Sequence, residues 1–298
     1  MRRLGVTALI LASLAVPVWA QQDFSAVEIE TIQVSGNVYM LVGAGGNIGL
    51  SVGEDGAFII DDQYAPLSDK IMAAIADLTD ADVKFLVNTH YHGDHTGGNE
   101  AFGEAGALIF AHDNVRARMS TDQFRAIFDQ SIPASPAGAL PIVTFSDEMT
   151  FNWNGDAIRA IHVAPAHTDG DSILYFHDAN VIHMGDTFFN GFYPFIDVGS
   201  GGDINGIIGA GYRALSIAND DTAIIPGHGP VSDAAGLAAW LDMLKVTRVS
   251  MQSLIDRGMS EDEALAARPT AEFDEQYGGG FMNRENYNRL LYQSLSSD

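Results

Sequence analysis

Apolar residues fall along this chain in two rhythms. Near its start, short β-type runs at Thr31–Val34, Val38–Val42, Ile48–Val52 and Ala57–Ile60 are separated by turn formers such as Ser35-Gly36-Asn37 and Glu54-Asp55-Gly56. Leu67, Ile71, Ile75 and Leu78 then recur at helical spacing, which predicts a helix over Leu67–Leu78. Phe85–Val87 follows as a short buried strand. Beyond it the elements alternate: strands are expected at Ala107–Ala111, Ile142–Phe145, Ala157–Val163, Ile173–Phe176, Val181–Met184 and Ala223–Ile225, and helices at Ile204–Ile217, Ala234–Ile255 and 285–295. Mixed strands and helices over this length predict an α/β fold of layered sheets covered by helices. Residues 43–49, Gly-Ala-Gly-Gly-Asn-Ile-Gly, lack the GK[ST] ending of a phosphate loop and lie between strands, so they read as a flexible hairpin turn. Gly199–Gly202 reads as a mobile loop.

Composition narrows the picture. The chain has 298 residues, 47% of them hydrophobic, enough to bury a substantial core. Residues 1–20 are set apart: Arg2 and Arg3 precede an uncharged run from Leu4 to Val16, and Pro17-Val18-Trp19-Ala20 leads into Gln21-Gln22. That is the layout of a secretory signal. The run is short for a membrane span, so an uncleaved anchor helix is the lesser alternative. A periplasmic or secreted protein is expected, with residues 21–298 as one domain and no membrane anchor after cleavage. With 39 acidic and 15 basic side chains, the net charge is -24. Such a surface repels phosphate backbones and anionic membranes, which disfavours nucleic acid as a partner. A small-molecule substrate is the expected partner, and the oligomeric state is left open. There is no cysteine. Disulfides, thiolate ligands and a cysteine nucleophile are excluded, so any transition-metal site must use His, Asp or Glu.

Residues 88–99 read Asn-Thr-His-Tyr-His-Gly-Asp-His-Thr-Gly-Gly-Asn and follow the buried strand Phe85–Val87. In extended backbone, residues two apart face the same side, so His90 and His92 can converge on one metal. Gly93 permits a sharp turn that brings Asp94 and His95 to a second position close by. Four potential ligands in six residues are costly to place together unless a cation holds them. Three further strands each end in one ligand-type residue beside Gly or Pro: His167, Asp186 and His228. Strand carboxyl ends are where α/β architectures gather their sites, and seven ligands suffice for two metals sharing one bridge.

The pattern His90-x-His92-x-Asp94-His95, followed by His167, Asp186 and His228, resembles the metallo-β-lactamase superfamily. The resemblance runs from about Ile29 to His228 and leaves a C-terminal helical extension. It implies a four-layer αβ/βα sandwich with two metals at one edge between two sheets. It further implies that His90, His92 and His167 bind the first metal, that Asp94, His95 and His228 bind the second, and that Asp186 bridges them as in glyoxalase-II-like members. Asp61, ending the strand Ala57–Ile60, resembles the family's aspartate that orients a ligand histidine. Two departures stand out. The best-known lactamases have cysteine where this chain has Asp186, and they often place a lysine soon afterwards, whereas 187–198 contains no Lys or Arg.

Of the remaining histidines, His177 reads as a solvated turn residue, His162 and His183 as packed strand residues, and His112 as a possible neighbour of the site. Phe192, Tyr193 and Phe195 either line an apolar wall or are ordinary core aromatics. The implied chemistry is hydrolysis: two cations, zinc by first choice with iron or manganese also compatible, lower the pKa of a shared water, and the hydroxide oriented by Asp94 attacks the carbonyl of a lactam, lactone or thioester. A mononuclear iron-dependent oxidoreductase of the same fold is the alternative. A metal-stabilised binding protein without turnover is the third reading, weakened by the complete set of seven ligands.

Overall fold

The computed structural model describes residues 23–163 and 165–296, and the expected signal segment 1–20 lies outside them. Strands β1 (Glu30–Ser35), β2 (Val38–Val42), β3 (Ile48–Ser51) and β4 (Ala57–Ile60) form an antiparallel meander. Helix α1 (Ser68–Ala76) crosses over to β5 (Val83–Val87), which pairs parallel to β4. Helices α2 (Gly93–Thr96) and α3 (Asn99–Glu104) lead to β6 (Leu108–His112), and α4 (Asp113–Met119) follows. A separate two-stranded hairpin, β7 (Gln123–Arg125) and β8 (Gln130–Ile132), precedes β9 (Val143–Phe145), the edge of this seven-stranded sheet.

The second sheet has six strands in sequence order: β10 (Glu148–Trp153), β11 (Asp156–His162), β12 (Ser172–Phe176), β13 (Val181–His183), β14 (Ala223–Ile225) and β15 (Ser232–Asp233). Helix α5 (Ile204–Ile217) connects β13 to β14, which pair parallel. The chain ends in α6 (Ala234–Asp256), α7 (Glu261–Ala266), α8 (Asp274–Tyr277) and α9 (Arg284–Ser296).

Side-chain alternation along the strands stacks these elements into four layers. Phe58 and Ile60 of β4 face Leu174 and Phe176 of β12 in a core between the sheets, joined by Phe110, Phe151 and Ile225. The intervening Ala57 and Ile59 face outward onto Leu67, just before α1, and onto Ile71 and Ile75 along it. On the other side, Ile173, Ile182 and Ile224 meet α5, α6 and α9 through Ile207, Trp240, Leu241 and Leu291. Nearly all of these are fully buried, and each such side chain contributes on the order of 1.5–3 kcal/mol. The expected αβ/βα sandwich is therefore present. Continuous apolar runs such as Ala57–Ile60 arise because both strand faces are covered.

Candidate metal centre

The carboxyl ends of β5, β13 and β14, and the loop after β11, open at one edge between the two sheets. After β5 the chain bends at 89–91, is extended at His92 (φ -66°, ψ 145°) and then coils into α2, which turns Asp94 and His95 back toward His90. Asp186 sits in a single 3-10 turn (Gly185–Thr187) after β13. His228 follows β14, and His167 lies in the loop between β11 and β12.

Two groups result. One ligand atom from each of His90, His92, His167 and Asp186 lies within 4.8 Å of the others, and the same holds for Asp94, His95 and His228. Asp186 faces both: its Oδ2 is 3.8 Å from His90 Nε2 and 3.5 Å from His167 Nε2, while its Oδ1 is 3.1 Å from His95 Nε2 and 3.4 Å from His228 Nε2. All seven sequence-predicted residues are thus brought together. The groups differ in access. His90 and His167 are fully buried and His92 nearly so, whereas His228 and Asp94 keep 29% and 21% of their side-chain surface exposed.

The outward nitrogen of each of four histidines is already engaged, which fixes the tautomers. His95 Nδ1 bonds Asp61 at 2.8 Å. His92 Nε2 donates to Asp197 at 2.9 Å, and His167 Nδ1 donates to the Phe195 carbonyl at 2.7 Å. His90 Nδ1 meets the Thr89 hydroxyl at 3.0 Å. Consequently His92 Nδ1 and His167 Nε2, 2.9 Å apart, point lone pairs at each other when both rings are neutral. His90 Nε2, His95 Nε2 and Asp186 Oδ1 are buried and have no aligned hydrogen-bond partner. Orphaned polar atoms are costly. Here they converge, and a divalent cation in each group would satisfy them. The all-nitrogen-and-oxygen donor set fits zinc, iron or manganese.

Protonation follows the same geometry. Burial pushes His90 well below its ordinary pKa and takes His92 down to about 3, with the Arg125 charge adding to the second shift. Burial opposes a charge on His95 and His228, but the surrounding carboxylates win. Asp186, Asp94 and Asp61 hold His95 well above its usual range, and Asp186 and Asp94 raise His228 to about 9. Against their own burial, Asp94 and Asp186 are held low by His95 and His228. In the metal-free protein the second group therefore carries protons that a cation must displace. Affinity for the more weakly held ion is expected to rise between pH 7 and 9, by up to tenfold per unit for each displaced proton, an order-of-magnitude figure from simple linkage. Chelator competition across that range measures it, and a flat profile would contradict the assignment. The sign for stability is opposite: the metal-free fold has the full benefit of charged His228 below about 6.5 and loses it as pH rises through about 9.

Asp61 supports this centre from beneath. It is fully buried and accepts from the Thr89 amide (2.7 Å) and hydroxyl (2.8 Å) as well as meeting His95. Its φ of +61° and that of Gln63 at +58° are conformations rarely adopted by side-chain-bearing residues, and such strain tends to gather at functional sites.

The glycine-rich stretch at 43–49 does make the hairpin turn between β2 and β3, but it is pinned rather than flexible. The Gly46 amide donates to the Asp94 carbonyl, the Asn47 amide to Gly227, and Gln63 Nε2 to the Gly46 carbonyl. A Cβ on Gly46 would lie 2.1 Å from the His95 ring, and one on Gly227 would lie 2.1 Å from Asp186 Oδ1. Both glycines are there because backbone presses directly on a candidate ligand.

His112 does not border the centre. It stacks on His162 at 3.5 Å between ring centroids, caps α4 by accepting from the Asn114 amide, and bonds the Ser146 carbonyl. His183 is packed and bonds the Asn47 carbonyl, and His177 is exposed beside Asp178. Sequence reasoning missed Asp197 and Tyr91. Tyr91 donates to Asp197 at 2.9 Å and pairs with Ser200 of the 199–202 loop at 2.7 Å, so this loop braces His92 through Asp197. The signal available was an acidic residue inside the apolar run Phe195-Ile196-Asp197-Val198.

A cavity of about 320 Å³ opens onto the two groups. Phe192, Tyr193 and Phe195 all line it, together with Phe189, Phe281 and Arg125. Tyr193 is also core, stacking on Tyr287 at 4.3 Å.

Comparison with known proteins agrees with this geometry. A family model described as the metallo-beta-lactamase superfamily matches residues 34–236. The chain is 29% identical over 153 residues to a hydroxyacylglutathione hydrolase of Nitrosococcus oceani, covering 51% of this chain and 50% of that protein. It is 28% identical over 172 residues to one from Polaromonas sp., with 55% of each covered. The chain thus spans about half the length of these curated relatives. Among solved structures, a metallo-beta-lactamase from Pontibacter korlensis superposes with a TM-score of 0.61 at 19% identity, over 73% of this chain and 99% of that one. A stereoselective inverting sec-alkylsulfatase from Pseudomonas sp. superposes with a TM-score of 0.69 at 16% identity, over 89% of this chain and 50% of that one. These likenesses concern the fold.

Proposed function

The chain belongs to the metallo-beta-lactamase superfamily, and on that premise we propose that it is a periplasmic hydrolase with two metal ions that opens a lactam, lactone or thioester at its carbonyl carbon. One observation carries the two-metal reading: Asp186 turns one carboxylate oxygen toward His90 and His167 and the other toward His95 and His228. The periplasmic location rests on residues 1–20 of the sequence alone.

His90, His92 and His167 would hold one ion, Asp94, His95 and His228 the other, with Asp186 shared. When bound, two divalent cations activate a water molecule and polarise a carbonyl oxygen. The chain's own residues do the rest. Asp94, part-exposed at the cavity, accepts a hydrogen bond from the attacking water and aims its lone pair at the carbonyl. Asp61 and Asp197 hold the His95 and His92 rings so that their free nitrogens point inward. Phe189, Phe192 and Phe195 exclude bulk water from one wall, which strengthens every charge interaction inside. The hydroxyacylglutathione hydrolases, hydrolases by name, favour this reading over an iron-dependent oxidoreductase, as does the orientation of Asp186.

Metal analysis of protein purified without added metal, joined to a screen of nitrocefin, lactones and thioesters, tests the proposal. Two ions per chain and turnover of one of these classes are expected. A single iron per chain with oxygen consumption and no hydrolysis would overturn it.

A further inference from the structure

The β7–β8 hairpin belongs to neither large sheet, and Ile127 and Phe128 at its turn pack it against the core beneath the site. Phe128, at its turn, meets Phe195 at 5.5 Å and Phe281 at 5.2 Å. Phe195 in turn stacks on His92 at 5.6 Å with an interplanar angle of 21°, and its carbonyl receives the His167 hydrogen bond. The hairpin is thereby docked against the mouth of the metal centre. Arg125, the last residue of β7, lines the cavity together with Asp94, Asp186 and His228 and is the one Lys or Arg among the lining residues.

Among the described residues, Arg125 has no hydrogen-bond or ion-pair partner. Its Nε is buried without a hydrogen-bond acceptor. Among the described residues no carboxylate lies within ion-pair distance of its guanidinium, although the chain carries 39 acidic side chains against 15 basic ones. Seven residues earlier, Arg118 shows the ordinary outcome: it grips Asp169 through two bonds of 2.7 Å. A guanidinium presents a planar fork of donors suited to a carboxylate, and a partly desolvated one without an acceptor is costly. The wall beside it is aromatic, from Phe189, Phe192 and Phe281.

We propose that Arg125 is a specificity-determining residue that binds a carboxylate of the substrate, so that the substrate is an acyl compound with an apolar body and an anionic group set apart from the scissile carbonyl. The reaction in this statement rests on the hydrolase reading above, and the binding does not.

The test separates the two. Calorimetry on the protein as purified, its metal content measured, compares 4-phenylbutanoate with the neutral 4-phenylbutanamide. Parent protein is expected to bind the carboxylate about ten- to hundredfold more tightly, the range for hydrogen bonds to a charged group. Arg125→Met is expected to bring the ratio to about one, and Arg125→Lys to retain part of it. Circular dichroism checks that each variant is folded, and Arg125→Gln serves as a second neutral variant. If the parent shows no preference, or if both neutral variants keep it in full because the carboxylate sits on the metal ions, the assignment of Arg125 is wrong. Absence of turnover on every lactam, lactone and thioester would overturn the hydrolase reading and leave the binding result to decide Arg125.

Discussion

Asp94→Asn is expected to lower kcat by at least about a hundredfold, the scale on which an oriented catalytic group acts, while the fold and the ion held by His90, His92 and His167 remain. The substitution keeps the shape of the side chain and removes its charge. Asp94 carries little structural weight: it is part-exposed at the cavity, and its carboxylate contacts are the two site histidines, His95 at 3.5 Å and His228 at 3.4 Å. A carboxylate present only to balance those histidines would show its loss mainly in stability. One that aims the attacking water shows it in turnover. Single-turnover rates on the best substrate, with both metals verified, decide between them, and near-parent rates would sink the role assigned to Asp94. His177→Ala, an exposed position beside Asp178, is the control and should leave rate and metal content nearly untouched.

The second large effect is expected at Asp61. Asp61→Ala strands three buried groups at once, the Thr89 amide, the Thr89 hydroxyl and His95 Nδ1. It should destabilise the protein by about 3–5 kcal/mol, the range for breaking a buried charge–hydrogen-bond cluster by removing one partner. It should also release the ion that His95 helps to hold. Backbone strain contributes too, because alanine tolerates the positive φ of this position poorly. Asp61→Asn tells the two contributions apart: asparagine accepts the left-handed conformation and keeps one acceptor for the Thr89 amide, so it should recover most of the stability but little of the metal affinity. Urea unfolding beside metal stoichiometry reads both. An Asp61→Ala protein with parent stability and two ions would show that His95 is oriented by something else.

Much of this architecture was legible because its signals are local. An apolar run such as Val181–Met184 or Ala223–Ile225 needs no partner to be read as a buried strand, and each ends two or three residues before a candidate ligand. The cluster from His90 to His95 is six residues of one chain segment. What stayed hidden is what the fold brings from afar. β10 was missed because Glu148–Trp153 mixes polar and apolar positions at a partly exposed edge. The β7–β8 hairpin has three-residue strands whose positions are all partly or fully exposed, so no periodicity betrays it, and Arg125 reaches the site through the docking of its turn residues Ile127 and Phe128. The glycine-rich turn was read correctly as a hairpin but wrongly as flexible for a related reason: composition reports freedom of the backbone, and only the contact of Gly46 with the His95 ring reports that a side chain has no room there.

The unequal burial of the two ligand groups has a kinetic meaning. On the two-metal reading proposed above, an ion among His90, His92 and His167 would sit among side chains that have almost no contact with solvent, whereas one among Asp94, His95 and His228 would have two ligands, Asp94 and His228, that already touch it. Exchange would then be unequal, with the outer position equilibrating with the surroundings first and the inner one holding its ion longer. The supply of free metal would then set, mainly through the outer position, how many molecules are complete at a given moment, and activity would follow that supply.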